Sequence, residues 1–228
     1  MRLAKNFLDV GLQTNNLEPM LRFWQGEAGL AFEEMLPTGG GNRQHRHSLN
    51  GAVLKLNHAR DPLPEGNPSG YRELLIAREG VSEPRRLTDP DGNTVTLVPP
   101  GFRGISSAGV RLAVTSLAES LAYYVEALEW QQDGPAAVRC GETLLLLEED
   151  PAAPPTGDMR GVGYRYLTVQ VWDCDLEHRG VLARGGTEGR PPITLGTTAR
   201  FSFVRDPNGN WLEISQRASL TGPLPPPG

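Results

Sequence analysis

The feature that most constrains the fold of this chain is an eleven-residue segment that occurs twice. Residues 87–97 read LTDPDGNTVTL, and residues 204–214 read VRDPNGNWLEI, about 117 residues later. In each copy an Asp-Pro-Asx-Gly-Asn turn precedes a stretch of alternating apolar residues. Proline presets φ at one turn position and glycine accepts positive φ at another, so each copy predicts a β-hairpin. The repeat therefore predicts two homologous units.

A second similarity lies near the start of each unit. Residues 8–14 and 110–114 are predicted to be strands, and each is followed by a predicted helix. Asn16 and Ser116 are the predicted N-caps of these helices. The apolar residues that share one face of the helices are Leu17, Met20, Leu21 and Trp24 in the first copy and Leu117, Leu121, Tyr124 and Leu128 in the second. Such a face is spaced to pack against a sheet.

Further strands after each helix complete a βαβββ pattern. The predicted strands are 31–36, 45–49 and 52–57 in the first unit and 130–132, 137–139 and 143–147 in the second. Pro-rich segments follow at 61–68 and 150–155, and new strands begin at Tyr71 and Tyr164. The second unit then continues through a helix at 176–184 to strands that end at Gln216. In the first unit, residues 77–85 leave no room for such a helix.

We therefore predict an α+β fold of two tandem domains built from paired βαβββ modules. Residues 1–100 form the first domain, whose second module is abbreviated because it lacks its helix. Residues 101–218 form the second domain. A Pro-rich tail, 219–228, is expected to be disordered or loosely packed.

Composition excludes several classes of protein. The 22 basic and 27 acidic residues are interspersed and leave a net charge of -5, so the chain has no basic stripe for nucleic acid. No apolar run approaches the roughly 20 residues of a membrane span, and the first eight residues do not resemble a signal peptide. These features predict a cytoplasmic protein with no membrane partner. Cys140 and Cys174 show no Cys-x-x-Cys spacing and are interpreted as structural.

Paired βαβββ modules, with TSLAESLAYY at 115–124 and FVRDPNGNWLE at 203–213, resemble the vicinal oxygen chelate superfamily. This superfamily contains glyoxalases, bleomycin resistance proteins and extradiol dioxygenases. The resemblance covers nearly the whole chain and implies a bacterial-type protein with a half-open β-barrel in each domain. It also implies that a concave face holds a divalent metal, which acts as a Lewis acid toward a small substrate. The superfamily also includes metal-free proteins that sequester antibiotics.

In the second domain the resemblance leaves a single metal-ligand position filled. The two histidine positions of the family fall on Gly109 and Tyr166, and only the final carboxylate is kept, as Glu213. Catalytic metal sites normally recruit three protein ligands, so we predict no metal here. Arg111, Tyr166, Trp211 and Glu213 are instead the candidate substrate-binding residues. As an alternative, Glu213 is a buried carboxylate that is paired with Tyr166 or Arg111.

The first domain offers more candidate ligands, because the matching positions carry Asp9, Glu73 and Thr96 and three of the four histidines lie within residues 44–58. The predicted ligands of a divalent Fe, Mn or Zn ion are Asp9, His47, His58 and Glu73. Among these, His47 and Glu73 are also the predicted catalytic residues. Alternatively, residues 43–47 form a solvated loop or edge strand and His58 only caps a strand. A register slip of one residue would turn these side chains to the other face of the sheet.

Two hypotheses for the function remain open. In the first, the chain is a lyase, isomerase or dioxygenase whose metal polarises adjacent oxygens of a small-molecule substrate. In the second, it is a metal-free protein that binds a planar or hydrophobic small molecule. Under this second hypothesis, the aromatic residues considered for the lining of the binding cavity are Trp24, Tyr166, Trp172 and Trp211. The second domain can also serve only as a scaffold or as the interface of a homodimer.

Overall fold

The computed structural model describes residues 1–64, 66 and 68–224. The strands are β1 Asp9–Thr14, β2 Phe32–Gly39, β3 Asn42–Leu49, β4 Ala52–His58, β5 Tyr71–Ala77, β6 Arg85–Thr88, β7 Thr94–Val98, β8 Ala108–Val114, β9 Gln131–Gln132, β10 Ala137–Cys140, β11 Thr143–Glu149, β12 Gly163–Gln170, β13 Thr187–Leu195, β14 Ala199–Arg205 and β15 Trp211–Arg217. The helices are α1 Leu17–Arg22, α2 Leu117–Ala122, α3 Cys174–Ala183 and α4 Ala218–Thr221. Both α1 and α2 continue into a π-helical turn, over Phe23–Glu27 and Tyr123–Ala127.

These strands form two sheets in the described part of the chain. The eight-stranded sheet has the order β13-β14-β15-β12-β1-β4-β3-β2, and the seven-stranded sheet has the order β6-β7-β5-β8-β11-β10-β9. The four modules are numbered in chain order, two in each predicted domain. The first module pairs with the fourth, through β1 and β12, and the second pairs with the third, through β5 and β8. The division into domains at residue 100 stays a prediction about folding units, because both sheets are assembled across it.

The predicted fold class and module pattern are confirmed. The chain is α+β, and the second module consists of β5, β6 and β7 without a helix. Ser116 caps α2 by accepting a hydrogen bond from the Glu119 backbone N–H at 3.3 Å. Asn16 is the N-cap residue of α1, as predicted, but its side chain makes no capping hydrogen bond. The short helix α4 occupies the start of the predicted tail, and residues 65, 67 and 225–228 of the two Pro-rich segments lie outside the described residues.

The two repeated turns have the same internal hydrogen bonds. Asp89 Oδ1 accepts from the Asn93 backbone N–H at 2.8 Å, and Asp206 Oδ1 accepts from the Asn210 backbone N–H at the same distance. The turn glycines have φ of 86° and 79°, a left-handed conformation that an L side chain rarely adopts. The hairpin prediction made from the Asp-Pro-Asx-Gly-Asn sequence is therefore confirmed in both copies.

Each repeated turn also connects the two sheets. Asn208, in the second copy, donates from Nδ2 to Thr115 Oγ1 at 2.9 Å, at the start of α2. In the first copy Asp91 accepts from Asn16 Nδ2 at 3.4 Å, at the start of α1. Each turn belongs to one sheet, and each helix follows a strand of the other sheet. These bonds therefore connect the first module to the second and the third module to the fourth.

One large apolar core lies between the sheets. It combines alternate residues of β1 and β4, such as Leu12 and Leu54, with those of β5 and β8, such as Ile76. Trp24 and Tyr124, in the π-helical turns, are fully buried in the same core. The face of the eight-stranded sheet that points away from this core is called the cavity face below.

The corresponding face of the seven-stranded sheet is partly filled by the protein's own chain. Residues 99–107, which connect β7 to β8, place Ile105 and Phe102 against Leu75 and Leu144. Ile105 is fully buried, and a Cβ added at Gly109 would lie 2.7 Å from its Cδ1. The two sheets therefore differ in how much of this face is left for a ligand.

Candidate functional site

A cavity of about 600 Å³ lies on the cavity face of the eight-stranded sheet. This volume is within the range of sites that bind drug-sized molecules. Its lining comes from the first and fourth modules, with Lys55 and Asn57 on one side and Tyr166, Phe203 and Glu213 on the other. The cavity is therefore a product of the pairing between the two ends of the chain.

Strand alternation explains which side chains reach the cavity. On β4, Leu54 and Leu56 belong to the core, so Lys55 points to the opposite face. Lys55 lies beside Arg46 of β3 in the strand register and beside Gly11 of β1. Gly11 in turn lies opposite Tyr166, and a Cβ on Gly11 would come within 2.2 Å of the Tyr166 ring. The glycine thus makes room for the tyrosine over the sheet.

Lys55 lies at the centre of the polar part of the site. Its Nζ donates to Thr168 Oγ1 at 2.6 Å and to Glu213 Oε2 at 2.7 Å, and Thr168 donates to the same carboxylate oxygen at 2.5 Å. The ammonium also lies 5.5 Å from the centroid of the Tyr166 ring. The side chains of Lys55 and Glu213 are only 5% and 12% exposed. This is a nearly buried ion pair inside a ligand-sized cavity.

The donors at this position do not fit a divalent metal. The carboxylate that the resemblance predicts is present as Glu213, but the group bound to it is already a cation. The ammonium of Lys55 would repel a divalent ion at the same carboxylate, and it is not itself a ligand while protonated. No group of three or more His, Cys, Asp or Glu side chains able to hold a metal occurs among the described residues.

Asp9, the predicted first-strand ligand, already accepts three hydrogen bonds from protein donors. Its carboxylate accepts from Lys5 Nζ at 2.7 Å, from the Val53 backbone N–H at 2.9 Å and from Gln170 Nε2 at 3.1 Å. Burial acts to raise the pKa of Asp9, but the nearby charges of Lys55 and Lys5 outweigh it and leave this pKa below its ordinary value. Asp9 is a structural anion beside the cavity.

His47 lies on the opposite face of the sheet from the cavity. Its neighbour Arg46 lines the cavity, so alternation along β3 turns His47 toward the core side. The ring is fully buried, packs 5.7 Å from the centroid of Phe32 and has Nε2 at 3.2 Å from Gln25 Nε2. Burial, followed by the charge of His45, lowers the pKa of His47 to about 4. The side chain of His47 therefore points away from the cavity, which is where a one-residue shift from the expected register would place it.

Glu73 and Arg111 lie in the seven-stranded sheet and therefore do not join Asp9 or His58. Glu73 accepts from Arg111 Nη1 at 2.5 Å and from the Thr96 hydroxyl. Arg111 also donates to Glu148 from Nε at 2.9 Å. The predicted set of Asp9, His47, His58 and Glu73 is thus spread over two sheets and over both faces of one of them.

Four of the predicted residues do meet around the cavity. Tyr166, Glu213 and His58 line it, and Trp211 packs beside it in a cluster with Phe203 and Tyr166. The Trp211 indole N–H donates to the Gly157 carbonyl at 3.1 Å, and its ring is 6.0 Å from that of Phe203. The four come from β4, β12 and β15, which the sheet brings together although the sequence separates them.

The other two tryptophans considered for a cavity lie elsewhere. Trp24 is fully buried in the core between the sheets. Trp172 is 41% exposed and contacts the guanidinium of Arg2. Neither is placed to contact a ligand in the cavity described above.

Several residues of the site were not predicted from the sequence. The sequence did contain a signal for Lys55: it interrupts the apolar run of β4, and a lysine buried in such a run needs a polar or charged partner. Arg46 and Arg217 could be placed only from the register of the sheet. The aromatic wall of Phe201 and Phe203, on β14, follows from the alternation of that strand with buried Ser202 and Val204.

None of the described helices has the length and apolar character needed to cross a bilayer. Residues 106–214 match the family model described as the Glyoxalase/Bleomycin resistance protein/Dioxygenase superfamily. No curated protein matches the sequence significantly.

The solved structures that resemble this one do so over nearly its whole length. Glyoxalase I from Zea mays shares 15% identity, covers 94% of this chain and 92% of its own, and has a TM-score of 0.73. A mutant of the same enzyme has 16% identity, the same coverage and a TM-score of 0.74. A protein from Bacillus subtilis subsp. subtilis str. 168, provisionally assigned as a dioxygenase, has 12% identity, coverage of 95% and 85%, and a TM-score of 0.65. At such identities the similarity shows the shared fold.

Proposed function

We propose that this chain, which belongs to the vicinal oxygen chelate superfamily of glyoxalases, bleomycin resistance proteins and dioxygenases, binds a small organic molecule without a protein-held metal. The binding site is the cavity formed by the first and fourth modules. A single observation carries the proposal: the ammonium of Lys55 is bound to Glu213, the carboxylate that would otherwise hold the metal. The site therefore keeps the concave face of the superfamily but replaces a divalent ion by a fixed side-chain cation.

The surroundings of Lys55 support a ligand-binding role. A lysine ammonium has three protons, and two of them are bound by Thr168 and Glu213. The third is available to an acceptor in the cavity. Asn57, whose side chain donates to the Tyr166 hydroxyl at 3.1 Å, holds that ring in place above the ammonium. A ligand would thus meet a polar floor and an aromatic wall, which is the usual composition of a small-molecule site.

The metal-dependent enzyme hypothesis makes the opposite prediction and can be tested beside this one. Metal content is measured on protein purified without added metal, for the wild type, Glu213→Gln and His47→Gln. A set of planar aromatic compounds is then screened for a rise in melting temperature, with and without a chelator. Binding to the folded state must stabilise it by an amount set by the ratio of ligand concentration to Kd.

We expect at least one compound that stabilises the wild type equally with and without chelator and that fails to stabilise Lys55→Met. His47→Gln serves as the control, because this residue lies on the far face of the sheet and should bind the compound normally. Stoichiometric iron, manganese or zinc that is lost in Glu213→Gln would overturn the proposal. So would a screen in which no compound stabilises the protein. The cytoplasmic location and the homodimer stay predictions.

A further inference from the structure

We infer that the ligand of this cavity is an anion with a planar aromatic part, such as an aromatic carboxylate. The inference rests on the proposed function and adds the chemical class of the ligand. It is drawn from the charges that line the cavity, from two arginines with unused donors and from the arrangement of the aromatic side chains.

The lining of the cavity is strongly cationic, although the chain as a whole carries a net charge of -5. The basic side chains in the described lining are Arg46, Lys55, Arg160, Arg190 and Arg217. Glu213 is the one carboxylate among the described lining residues, and it is already paired with Lys55. A concave site with walls of one charge concentrates ligands of the opposite charge. The excess of cations therefore favours an anionic ligand over a neutral or cationic one.

Arg46 and Arg217 share a single carboxylate at one end of the cavity. Glu34 Oε1 lies 3.2 Å from Arg46 Nε and 2.9 Å from Arg217 Nη2, so the two guanidiniums are held close together. The Glu34 side chain is 43% exposed, whereas those of Arg46 and Arg217 are 6% and 17% exposed. Burial, and then the charge of Arg46, lowers the pKa of Arg217. The two cations thus share Glu34 as their ion-pair partner, while the charges of Asp9 and Glu213 also act on Arg217 without a direct ion pair.

The same two arginines have donors to spare. Arg46 also donates from Nη1 to Gln44 Oε1 at 2.9 Å, and Arg217 donates from Nε to Ser219 Oγ at 3.1 Å. No hydrogen-bond partner is found in the described part of the chain for Arg46 Nη2 and Arg217 Nη1, and the contact of Arg46 Nε with Glu34 is an ion pair without a hydrogen bond. Guanidinium groups bind carboxylates through pairs of N–H donors, and such charge-assisted bonds are stronger than neutral ones. A carboxylate at this end of the cavity would satisfy both donors and offset the repulsion between the arginines.

Aromatic rings line the neighbouring wall. Phe203 contacts both Phe201 and Tyr166 edge to face, with ring centroids 5.9 Å apart in each pair. Phe201 lies beside Ser215 and Phe203 beside Glu213 in the strand register, so the wall runs along the polar row of β15 toward Arg217. An aromatic ring that packs on this wall would extend its substituent toward the arginines. The geometry thus matches a ligand with a planar body and an acidic group at one edge.

The test compares ligands that share one ring system and differ in the charge and the hydrogen-bonding groups of a single substituent. Naphthoate, its neutral carboxamide and the matching cationic naphthylmethylamine are measured by calorimetry and by melting-temperature shift, together with a panel of similar acid–amide–amine triplets. Each is measured at low and at high salt with the wild type, Arg217→Met, Arg46→Met and Arg111→Met. Arg111 is the matched control, because it also pairs with carboxylates but lies in the other sheet. Circular dichroism checks that each variant is folded, and Arg217→Met suffices if Arg46→Met does not fold.

We expect at least one acid to bind about 10- to 100-fold more tightly than its amide, as charge-assisted hydrogen bonds are lost in the amide. High salt should weaken the acid more than the amide. Arg217→Met should abolish most of the preference for the acid, and Arg111→Met should leave it unchanged.

The outcomes separate this inference from the proposed function. If amides or amines bind as tightly as the acids, the anion inference is wrong while the cavity remains a binding site. The inference is likewise wrong if the acid preference survives in Arg217→Met. If no member of any triplet binds, the proposed function fails and the inference fails with it.

Discussion

Replacing Lys55 by methionine is the most direct perturbation of the site. The substitution keeps the length of the side chain but removes the ammonium that contacts Glu213 and Thr168. Because both side chains of the ion pair are nearly buried, the lost partner leaves a carboxylate without its counter-charge. Breaking such a pair costs about 3–5 kcal/mol in the free energy of unfolding. For a chain of this size the melting temperature should fall by roughly 6–20 °C.

A double-mutant cycle measures how much of this cost belongs to the pair. The free energy of unfolding is determined by urea denaturation for Lys55→Met, Glu213→Leu and the double variant. We expect the double variant to be destabilised by much less than the two single variants together, because neither charge is then left unpaired. The interaction energy should be at least about 2 kcal/mol, within the range found for residues in direct contact.

An exposed ion pair provides the control for this cycle. Arg60 and Asp61 form a salt bridge whose side chains are 64% and 57% exposed, so Arg60→Met should leave the melting temperature unchanged. If the effects of Lys55→Met and Glu213→Leu were additive to within about 0.5 kcal/mol, the two groups would not be coupled. That result would refute the description of Lys55 as the fixed cation of the site.

Three further predictions follow from the geometry. As the pH falls from about 6.5 to about 4, the free energy of unfolding should fall by up to about 3 kcal/mol, because the buried ring of His47 resists protonation while the unfolded chain accepts it. His47→Gln should flatten this part of the plot of urea midpoint against pH, and identical plots for the variant and the wild type would contradict the assignment. Ile105→Ala should cost about 2–5 kcal/mol in urea denaturation, since the side chain is fully buried against the seven-stranded sheet, and an unchanged midpoint would show that residues 99–107 do not fill that face. Gly11→Ala should destabilise the fold by about 1–3 kcal/mol and weaken ligand binding in calorimetry, because its Cβ would displace the Tyr166 ring; normal affinity would show that the ring position is not part of the site.

Much of the fold could be predicted from the sequence because it depends on local chemistry. Proline and glycine at set positions define the two hairpin turns, and the distance between Ala77 and Arg85 is too short for a helix and its two connections. The period of the apolar residues distinguishes helices from strands. These signals act within a few residues, so the modules and the abbreviated second module were correctly predicted. Asn16 lies at the predicted N-cap position, but a residue type that favours a cap does not guarantee the side-chain hydrogen bond.

The composition of the site was decided by the tertiary structure. Sequence order placed Asp9 and Glu73 in one domain, whereas the strand pairing puts Asp9 beside the fourth module and Glu73 in the other sheet. The face to which His47 points depends on the register of β3, and a shift of one residue reverses it.

The charged residues of the site were also determined partly by the sequence and partly by the tertiary structure. The sequence by itself showed that a carboxylate remained at Glu213 and that histidines clustered in residues 44–58. It could not show that Lys55, more than 150 residues away, would bind that carboxylate. Hydrogen bonds between strands are made by the backbone, which is alike at every residue, so local sequence does not specify which strands pair. Packing of the apolar faces selects the partners, and only then are the side chains of the cavity brought together.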